Sequence, residues 1–377
     1  MIGPSTFRIA VTGFRGIPAS WGGVERQCEE TYTRLAARGF QITVYARSHY
    51  VSKTVRSYKG VRVRRLWTLN TKYTEAILHT LLSVLDILRV GPEIVHVYTQ
   101  GPCLFLPLIR LLRPKTKVFF TCQGLDWKRR KWPAWASALI KVGEKLSARL
   151  SHYQVVVSRE LQDYYRGQYG VEAHYIPNGV SAVLPRPLDR VKTYGLKPRG
   201  YFLSVGRLVP EKRVEDIIVA YLAKPRGSAL VIVGDAAGSG DYVVRLKAIA
   251  RGNPSILFVG YQYGDALGEL YSNARAFVSA SELEGMPLTL LEALAHGLVC
   301  VASEIPPHGE VLEGTTHFAF PVGSLDSLST CLDELDKMDP GRLEDCAADL
   351  RKYAEARFGW ERVVDQLERL YISSLDP

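Results

Sequence analysis

Two glutamates separated by eight positions are the residues whose type and spacing point most directly to chemistry. They are Glu284 and Glu292, in the segment SASELEGMPLTLLEALAHGLVCVAS (279–303). A carboxylate accepts hydrogen bonds from both hydroxyls of a vicinal diol, as an acidic residue does when it captures ribose. Apolar residues surround Glu292, and a carboxylate in such surroundings requires a partner. The alternative is that both glutamates lie on a solvated helix face, and the apolar neighbours of Glu292 disfavour it.

The residues between the two glutamates resemble a helix start. Pro287 suits a first helical turn, which puts Glu284 before the helix and Glu292 within its second turn. The backbone N–H groups at Leu288 and Thr289 would then be available to hold an anion. A sugar nucleotide offers a diol and a diphosphate together, so it fits both features.

Two cations lie in a second segment, SVGRLVPEKR (204–213). Arg207 follows a predicted strand and Lys212 precedes a predicted helix. Together they would neutralise a diphosphate, which the arginine can bind through two hydrogen bonds. Taken alone, the segment favours the alternative, a pair of solvated loop charges.

A glycine-rich loop, TGFRGIPASWGGVER (12–26), follows the first predicted strand. Glycines such as Gly22 and Gly23 permit close approach of the backbone to a phosphate at a helix N-terminus. The spacing is not that of a nicotinamide-type fingerprint, and no acidic residue ends the second strand. A glycine-rich turn without a ligand is the alternative.

Short apolar runs separated by helical patterns occur in two series along the chain. This arrangement predicts two doubly wound α/β domains that face a ligand cleft, and the residues above would lie at that cleft. Residues 185–200, rich in proline and charge, are the predicted linker, between domains at 1–184 and 201–355; residues 356–377 form a C-terminal helix expected to pack back on the first domain. The predicted strands are 7–14, 41–47, 93–100, 117–124 and 154–158, then 201–207, 229–235, 256–260, 276–281 and 299–303.

Charge is distributed unevenly along the 377 residues, whose net charge is +10. Residues 1–190 carry 29 Lys+Arg against 12 Asp+Glu, and the remainder carry 19 against 26. Six scattered cysteines argue against a zinc site and a disulfide framework. No segment is long and apolar enough for a membrane span or a signal peptide, so a cytoplasmic protein is expected.

The densest cations, at 128–131, are flanked by Trp127, Trp132 and Trp135 and followed by an amphipathic stretch at 134–150. Basic residues with tryptophans suit an anionic membrane surface, and the expected location is the inner face of that membrane. Nucleic-acid binding uses similar residues but is not expected. The alternative is that Trp132 and Trp135 pack in the core and the cations are solvated.

In these motifs the sequence resembles the retaining glycosyltransferases of family four, which have the two-domain GT-B fold. The matching elements span nearly the whole chain. The start of the chain, with GFRGIPASWGGVE and QGLDWKRRKW, is similar to a subgroup that includes rhamnosyltransferases of bacterial polysaccharide assembly. The matched positions are the E-x7-E pair Glu284 and Glu292, then Ala293, Ala295 and Gly297, with Gly206, Arg207 and Lys212, 176–180, Gly22 and Gly23, and Phe358 and Trp360.

The resemblance implies a role for each matched residue. Arg207 and Lys212 hold the donor diphosphate, which Gly22 and Gly23 approach from the other domain. Glu292 binds the ribose hydroxyls and Glu284 contacts the transferred sugar. The backbone of Gly285, Met286, Pro287, Leu288 and Thr289 contacts sugar and phosphate.

One position departs from the family pattern. Many relatives have His-Gly after the strand KVFFTCQG, where this chain has Gln123 and Gly124. Gln123 and Asp126 are the candidates for the acceptor side, although Asp126 is equally compatible with a solvated loop position.

The function implied is transfer of a sugar from a nucleotide-diphosphate donor to a glycan or lipid-linked acceptor, with retention of anomeric configuration, in cell-surface polysaccharide synthesis. The protein supplies the cations, so neither a metal nor another cofactor is expected. Two alternatives share the donor site: a nucleotide-sugar epimerase of the same fold, and a non-catalytic protein that binds sugar nucleotides.

Overall fold

The computed structural model describes residues 7–20, 22–68, 71, 74–129, 132–236 and 240–375. The chain divides into two compact units, Met1–Asn178 with Trp360–Pro377, and Gly179–Gly359. Each unit contains one largely parallel sheet whose strands are connected by helices. The predicted fold class, two doubly wound α/β domains, is therefore confirmed.

The first unit contains an eight-stranded sheet in the order β3-β4-β2-β1-β5-β6-β7-β8, in which the edge strand β3 is antiparallel to β4. Its strands are β1 (Arg8–Thr12), β2 (Gln41–Arg47), β3 (Ser57–Tyr58), β4 (Val61–Leu66), β5 (Ile94–Tyr98), β6 (Lys117–Cys122), β7 (Tyr153–Val156) and β8 (His174–Tyr175). Its helices are α1 (Gly23–Ala37), α2 (Thr74–Val90), α3 (Leu106–Leu112), α4 (Ala134–Leu150), α5 (Arg159–Tyr169) and α13 (Trp360–Leu375).

The central strands of this sheet are the continuous apolar runs that the sequence predicts, and all five residues of β5 are buried. Strand β4 is absent from the predicted series. Its sequence VRVRRL alternates apolar and charged residues, and only Val61 and Val63 are buried. Such a half-exposed strand near a sheet edge does not produce an apolar run.

The last helix, α13, belongs to the core of the first unit. Trp360, Val364 and Tyr371 are buried there. Arg38, the residue after α1, forms ion pairs with three acidic residues of α13. They are Glu368, Glu361 at 2.6 Å and Asp365 at 2.7 Å. The apolar face of α13 and its acidic side thus both have partners in this unit.

The second unit contains a six-stranded sheet in the order β11-β10-β9-β12-β13-β14, and each pairing in it is parallel. Its strands are β9 (Tyr201–Val205), β10 (Ala229–Val233), β11 (Ile256–Phe258), β12 (Ala276–Ser279), β13 (Cys300–Ser303) and β14 (His317–Phe320). Its helices are α6 (Val214–Leu222), α7 (Asp241–Ala250), α8 (Gly264–Asn273), α9 (Leu288–Ala295), α10 (Pro306–Leu312), α11 (Leu325–Lys337) and α12 (Pro340–Phe358).

The observed division differs from the predicted boundaries. The predicted linker, 185–200, lies inside the second unit, because its side chains and backbone form ion pairs and hydrogen bonds with residues of α8. Arg186 pairs with Asp265 at 2.6 Å, and Glu269 accepts a hydrogen bond from the backbone N–H of Asp189 at 2.9 Å. At the other end, α12 runs through Phe358, so the final helix begins at Trp360 rather than at 356.

Candidate active site

An ion pair between Lys212 and Glu284 lies at the carboxyl ends of two neighbouring strands of the second unit. Lys212 ends a short 3-10 turn (Pro210–Lys212) after β9, and Glu284 lies in the loop after β12, which pairs with β9. Lys212 Nζ donates to Glu284 Oε1, and Ser281 Oγ donates to the same oxygen at 2.8 Å. The side chains are 20 % and 12 % exposed, so the pair is shielded but within reach of a ligand.

The electrostatic surroundings keep Glu284 ionised. Burial alone raises the pKa of this carboxyl, but the positive charge of Lys212 and the hydrogen bonds of Lys212 and Ser281 outweigh it. The net result is a pKa below the usual value. Glu284 is therefore an anion at neutral pH, and Lys212 is held beside it with donors to spare.

His308, which the sequence analysis did not select, lies next to this pair. It is buried in the first turns of α10, with Nδ1 2.9 Å from the carbonyl oxygen of Ser303 and Nε2 3.4 Å from Ser279 Oγ. Burial lowers its pKa despite the opposing effect of Glu284. Since a carbonyl only accepts, the neutral ring carries its proton on Nδ1. The sequence signal for this residue is the Pro-Pro helix start that precedes it.

The apolar neighbours of Glu292 in the sequence predict a polar partner for its carboxylate, and the structure shows that this partner is Tyr271. Tyr271, on α8, donates its hydroxyl to Glu292 Oε2 at 3.1 Å and lies 3.2 Å from the carbonyl oxygen of Thr289. His296 stacks on the Tyr271 ring with centroids 5.2 Å apart. Burial, followed by the nearby Glu292, raises the pKa of Tyr271 well above the usual value, so the hydroxyl remains a donor.

Helix α9 begins between the two glutamates, as the sequence predicts. Pro287 is its N-cap residue, and Leu288 and Thr289 are the first helical residues. The N–H groups of a first helical turn have no acceptor within the helix. Together with the dipole of the helix, they make this end suitable for an anion.

Arg207 follows β9 at a point where two loops approach closely. The N–H of Gly206 donates to the carbonyl oxygen of Val233 at 3.0 Å. Gly234, after β10, has φ +133, and a Cβ there would collide with the Gly206 carbonyl oxygen. Glycine at 234 therefore allows the two strand ends to pack together, with the half-buried Arg207 on the loop after β9.

In the first unit, two buried glutamates of α1 hold the glycine-rich loop. Glu25 accepts from the backbone N–H and the guanidinium of Arg15, both at 3.2 Å, and Glu29 accepts from the N–H of Ala19 at 2.5 Å. Gly22, at φ +105, leaves room for the Glu25 carboxylate, which a Cβ would displace. Gly22 and Gly23 are predicted from the sequence, but these glutamates are not; their signal in the sequence is their i,i+4 spacing.

The two acceptor-side candidates lie on the loop after β6. Gln123 Nε2 donates to Gln27 Oε1 on α1 at 2.6 Å, which connects this loop to the helix that follows the glycines. Asp126 pairs with Arg129 at 3.0 Å. Asp126 is thus half-buried and paired rather than solvated.

The comparisons with known proteins agree with this architecture. The sequence matches the profile "Glycosyltransferase Family 4" over residues 21–183 and the profile "Glycosyl transferases group 1" over residues 189–357. The chain therefore belongs to the group 1 glycosyltransferases of family four. It is a glycosyltransferase of the GT-B type that acts on nucleotide-sugar donors.

Individual relatives are distant. A GDP-mannose-dependent alpha-mannosyltransferase of Mycobacterium tuberculosis (strain CDC 1551 / Oshkosh) is 27% identical over 289 residues, 72% of each chain. O-antigen chain mannosyltransferase B of Escherichia coli is 28% identical over 202 residues, which are 52% of this chain and about half (51%) of that protein. The structure of sucrose-phosphate synthase from Thermosynechococcus elongatus is similar, with a TM-score of 0.83 and 19% identity over 97% of this chain and 98% of that one.

The basic cluster of this glycosyltransferase is only partly described, because Arg130 and Lys131 lie outside the described residues. Lys128 is exposed, with its ammonium 5.7 Å from the centroid of the Trp127 ring. Trp132 is half-buried and Trp135 is 53 % exposed, so neither is a core residue.

Two features are absent from the described residues, a metal-binding cluster and a membrane-spanning helix. No group of three or more His, Cys, Asp or Glu side chains arranged to hold a metal ion occurs among them. Within the same part of the chain, none of the helices combines the length and apolarity needed to cross a bilayer. The expected independence from metals stays a prediction.

Proposed function

We propose that this glycosyltransferase transfers a sugar, with retention of anomeric configuration, from a nucleoside-diphosphate donor to a glycan or lipid-linked acceptor. The observation that carries the proposal is the ion pair of Lys212 and Glu284, which lies just before α9 in the chain at Glu284. Arg207 lies on the loop after β9, the same loop that leads to Lys212. This arrangement offers two cations and a helix N-terminus to a diphosphate. It also offers a carboxylate to a sugar.

Catalysis then rests on stabilising the leaving group. The bond between the anomeric carbon and the β-phosphate oxygen breaks, and negative charge grows on that oxygen. Arg207, Lys212 and the first-turn N–H groups of α9 oppose this charge from fixed positions. The acceptor oxygen bonds to the anomeric carbon on the face that the phosphate leaves, and the acceptor proton passes to the departing phosphate. This front-face route accounts for retention without a pair of acids at hydrolase spacing.

Donor recognition is assigned to the remaining predicted residues. Glu292, oriented by Tyr271, accepts hydrogen bonds from the ribose diol. The backbone from Gly285 to Thr289 lines the sugar and phosphate. In the first unit, Gly22 and Gly23 are assigned to the diphosphate, and Gln123 and Asp126 to the acceptor.

The setting proposed is cell-surface polysaccharide synthesis in the cytoplasm, at the inner face of a membrane that carries the acceptor. Two observations support it. The matched relative from Escherichia coli is named as an O-antigen chain mannosyltransferase. Residues 1–190 carry a large excess of Lys and Arg, which favours an anionic surface.

The test is incubation of the protein with labelled GDP-mannose, UDP-glucose and dTDP-rhamnose, each with a lipid extract as the acceptor source. We expect one donor to be consumed with transfer or slow hydrolysis, and NMR of the product to show the donor's anomeric configuration. Activity should persist in EDTA. A new sugar nucleotide would indicate an epimerase, binding without turnover would indicate a non-catalytic protein, and an inverted product would contradict retention.

A further inference from the structure

Helix α4 presents an apolar stripe to solvent. Trp135, Leu139 and Val142 are 53 %, 40 % and 48 % exposed. Their i, i+4, i+7 spacing places them on one helix face, and we call this set the α4 stripe. A contiguous exposed apolar patch on a helix marks an interaction site more often than isolated surface residues do.

The charges around the α4 stripe have a single sign. Lys141, Lys145 and Arg149 are exposed on the same helix. The one acidic residue of α4, Glu144, is 1 % exposed and accepts hydrogen bonds from inside the unit. The solvent face of α4 therefore presents apolar groups and cations without an acid among them, which is the composition of a helix that lies in a lipid interface.

The neighbouring helix also exposes apolar side chains. Helix α3 contacts α4 and ends in Leu111 and Leu112, which are 76 % and 57 % exposed. A symmetric contact with a second copy through this face would bring its cations close to their equivalents, at an electrostatic cost. An anionic surface complements the same cations. The charge pattern thus selects lipid over self-association.

We infer that the solvent face of α4 docks on an anionic lipid bilayer, with the α4 stripe inserted at the headgroup boundary and Lys141, Lys145 and Arg149 on lipid phosphates. This inference deepens the proposed function, on whose lipid-linked acceptor it rests. It also extends the expected contact from the loop cations at 128–131 along the helix. Because α4 starts at Ala134, immediately after the loop of Gln123 and Asp126, docking would present that loop to lipid-borne acceptors.

The experiment is co-sedimentation with vesicles of phosphatidylcholine alone and of phosphatidylcholine with phosphatidylglycerol in equal parts. The wild type is expected to bind the anionic vesicles and to be released by high salt. The variant W135S/L139S/V142S should bind them at least about tenfold more weakly. The variant K141Q/K145Q/R149Q should lose about 100-fold at low salt, because each cation near an anionic surface contributes about fivefold.

A matched control keeps the test specific. V219S/V244S removes two apolar side chains of the second unit, 38 % and 69 % exposed, and should bind as the wild type does. Unaltered sedimentation of both α4 variants would overturn the inference. So would a wild-type dimer, seen by light scattering, that becomes a monomer only in the stripe variant.

Donor turnover measured without vesicles separates the two proposals. A protein that processes a donor but does not bind vesicles contradicts docking alone. One that binds vesicles through α4 but processes none of the donors contradicts the proposed function alone. The thermal unfolding temperature of each variant reports whether its fold is intact.

Discussion

Two shielded carboxylates, one in each unit, are stabilised in opposite ways. Glu284 of the second unit is compensated by a cation, Lys212, and one hydroxyl. Glu144 of the first unit is compensated by three neutral donors: the indole of Trp127 at 2.9 Å and the hydroxyls of Tyr164 and Tyr169, each at 2.7 Å.

The difference separates a carboxylate suited to a ligand from one that holds structure. Lysine has three donors and a flexible stem, so a diphosphate can share Lys212 with Glu284. The indole and phenol groups around Glu144 each have one donor, and all are directed at the carboxylate. Glu144 thereby joins α4 to α5 and to the loop of Gln123 and Asp126, and it offers nothing to a substrate.

Removing the cation should have the largest effect. In Lys212→Ala, charge on the leaving diphosphate loses a fixed partner, and we expect turnover to fall by about 10²–10³-fold, a larger change than that in KM. Initial rates with the identified donor measure this. Lys192→Ala, which removes a 68 % exposed lysine of the same unit, is the control. Equal losses in both variants would remove Lys212 from the mechanism.

Removing the structural carboxylate should affect stability rather than donor binding. Glu144→Ala leaves three shielded donors without their acceptor, and we expect the free energy of unfolding to fall by about 3 kcal/mol. Urea denaturation monitors this, with Glu172→Ala, at a 69 % exposed position, as the control. If Glu144→Ala were as stable as that control, the two carboxylates would not differ as argued.

Neutralising the predicted ribose ligand should have a smaller effect. In Glu292→Gln, Tyr271 keeps a hydrogen-bond acceptor, but the diol meets an amide, and donor-nucleotide binding should weaken by about 1–3 kcal/mol. Calorimetric titration gives this value. Wild-type affinity in the variant would exclude the ribose role.

The smallest effect is expected in the pH dependence of stability. Folding lowers the pKa of Glu284 from its usual value of 4.5, so its contribution is complete above that pH and is lost as the pH falls through the lowered pKa. The free energy of unfolding should therefore decline less steeply below pH 4.5 in Glu284→Gln than in the wild type. Denaturation series at several acid pH values compare the slopes. Identical slopes would mean that Lys212 does not stabilise the ionised form.

The sequence by itself determined the strand series, the helix between Glu284 and Glu292, and the family motifs. These are local features: strand β2 (Gln41–Arg47) has the predicted bounds because apolar periodicity acts within a few residues. Three strands of the first unit are absent from the predicted series. The pattern of β4 is half-exposed and resembles no buried run, and β3 and β8 have only two residues each.

Only the tertiary structure decided which residues are partners. Lys212 and Glu284 are 72 positions apart, and neither position indicates the other until β9 and β12 lie side by side. The same holds for Tyr271 with Glu292, for His308 behind the ion pair, and for α13 on α1. The physical reason is that a sequence pattern reports which groups prefer to be buried or charged, whereas desolvation and hydrogen bonding depend on the neighbours that distant strands and helices bring together.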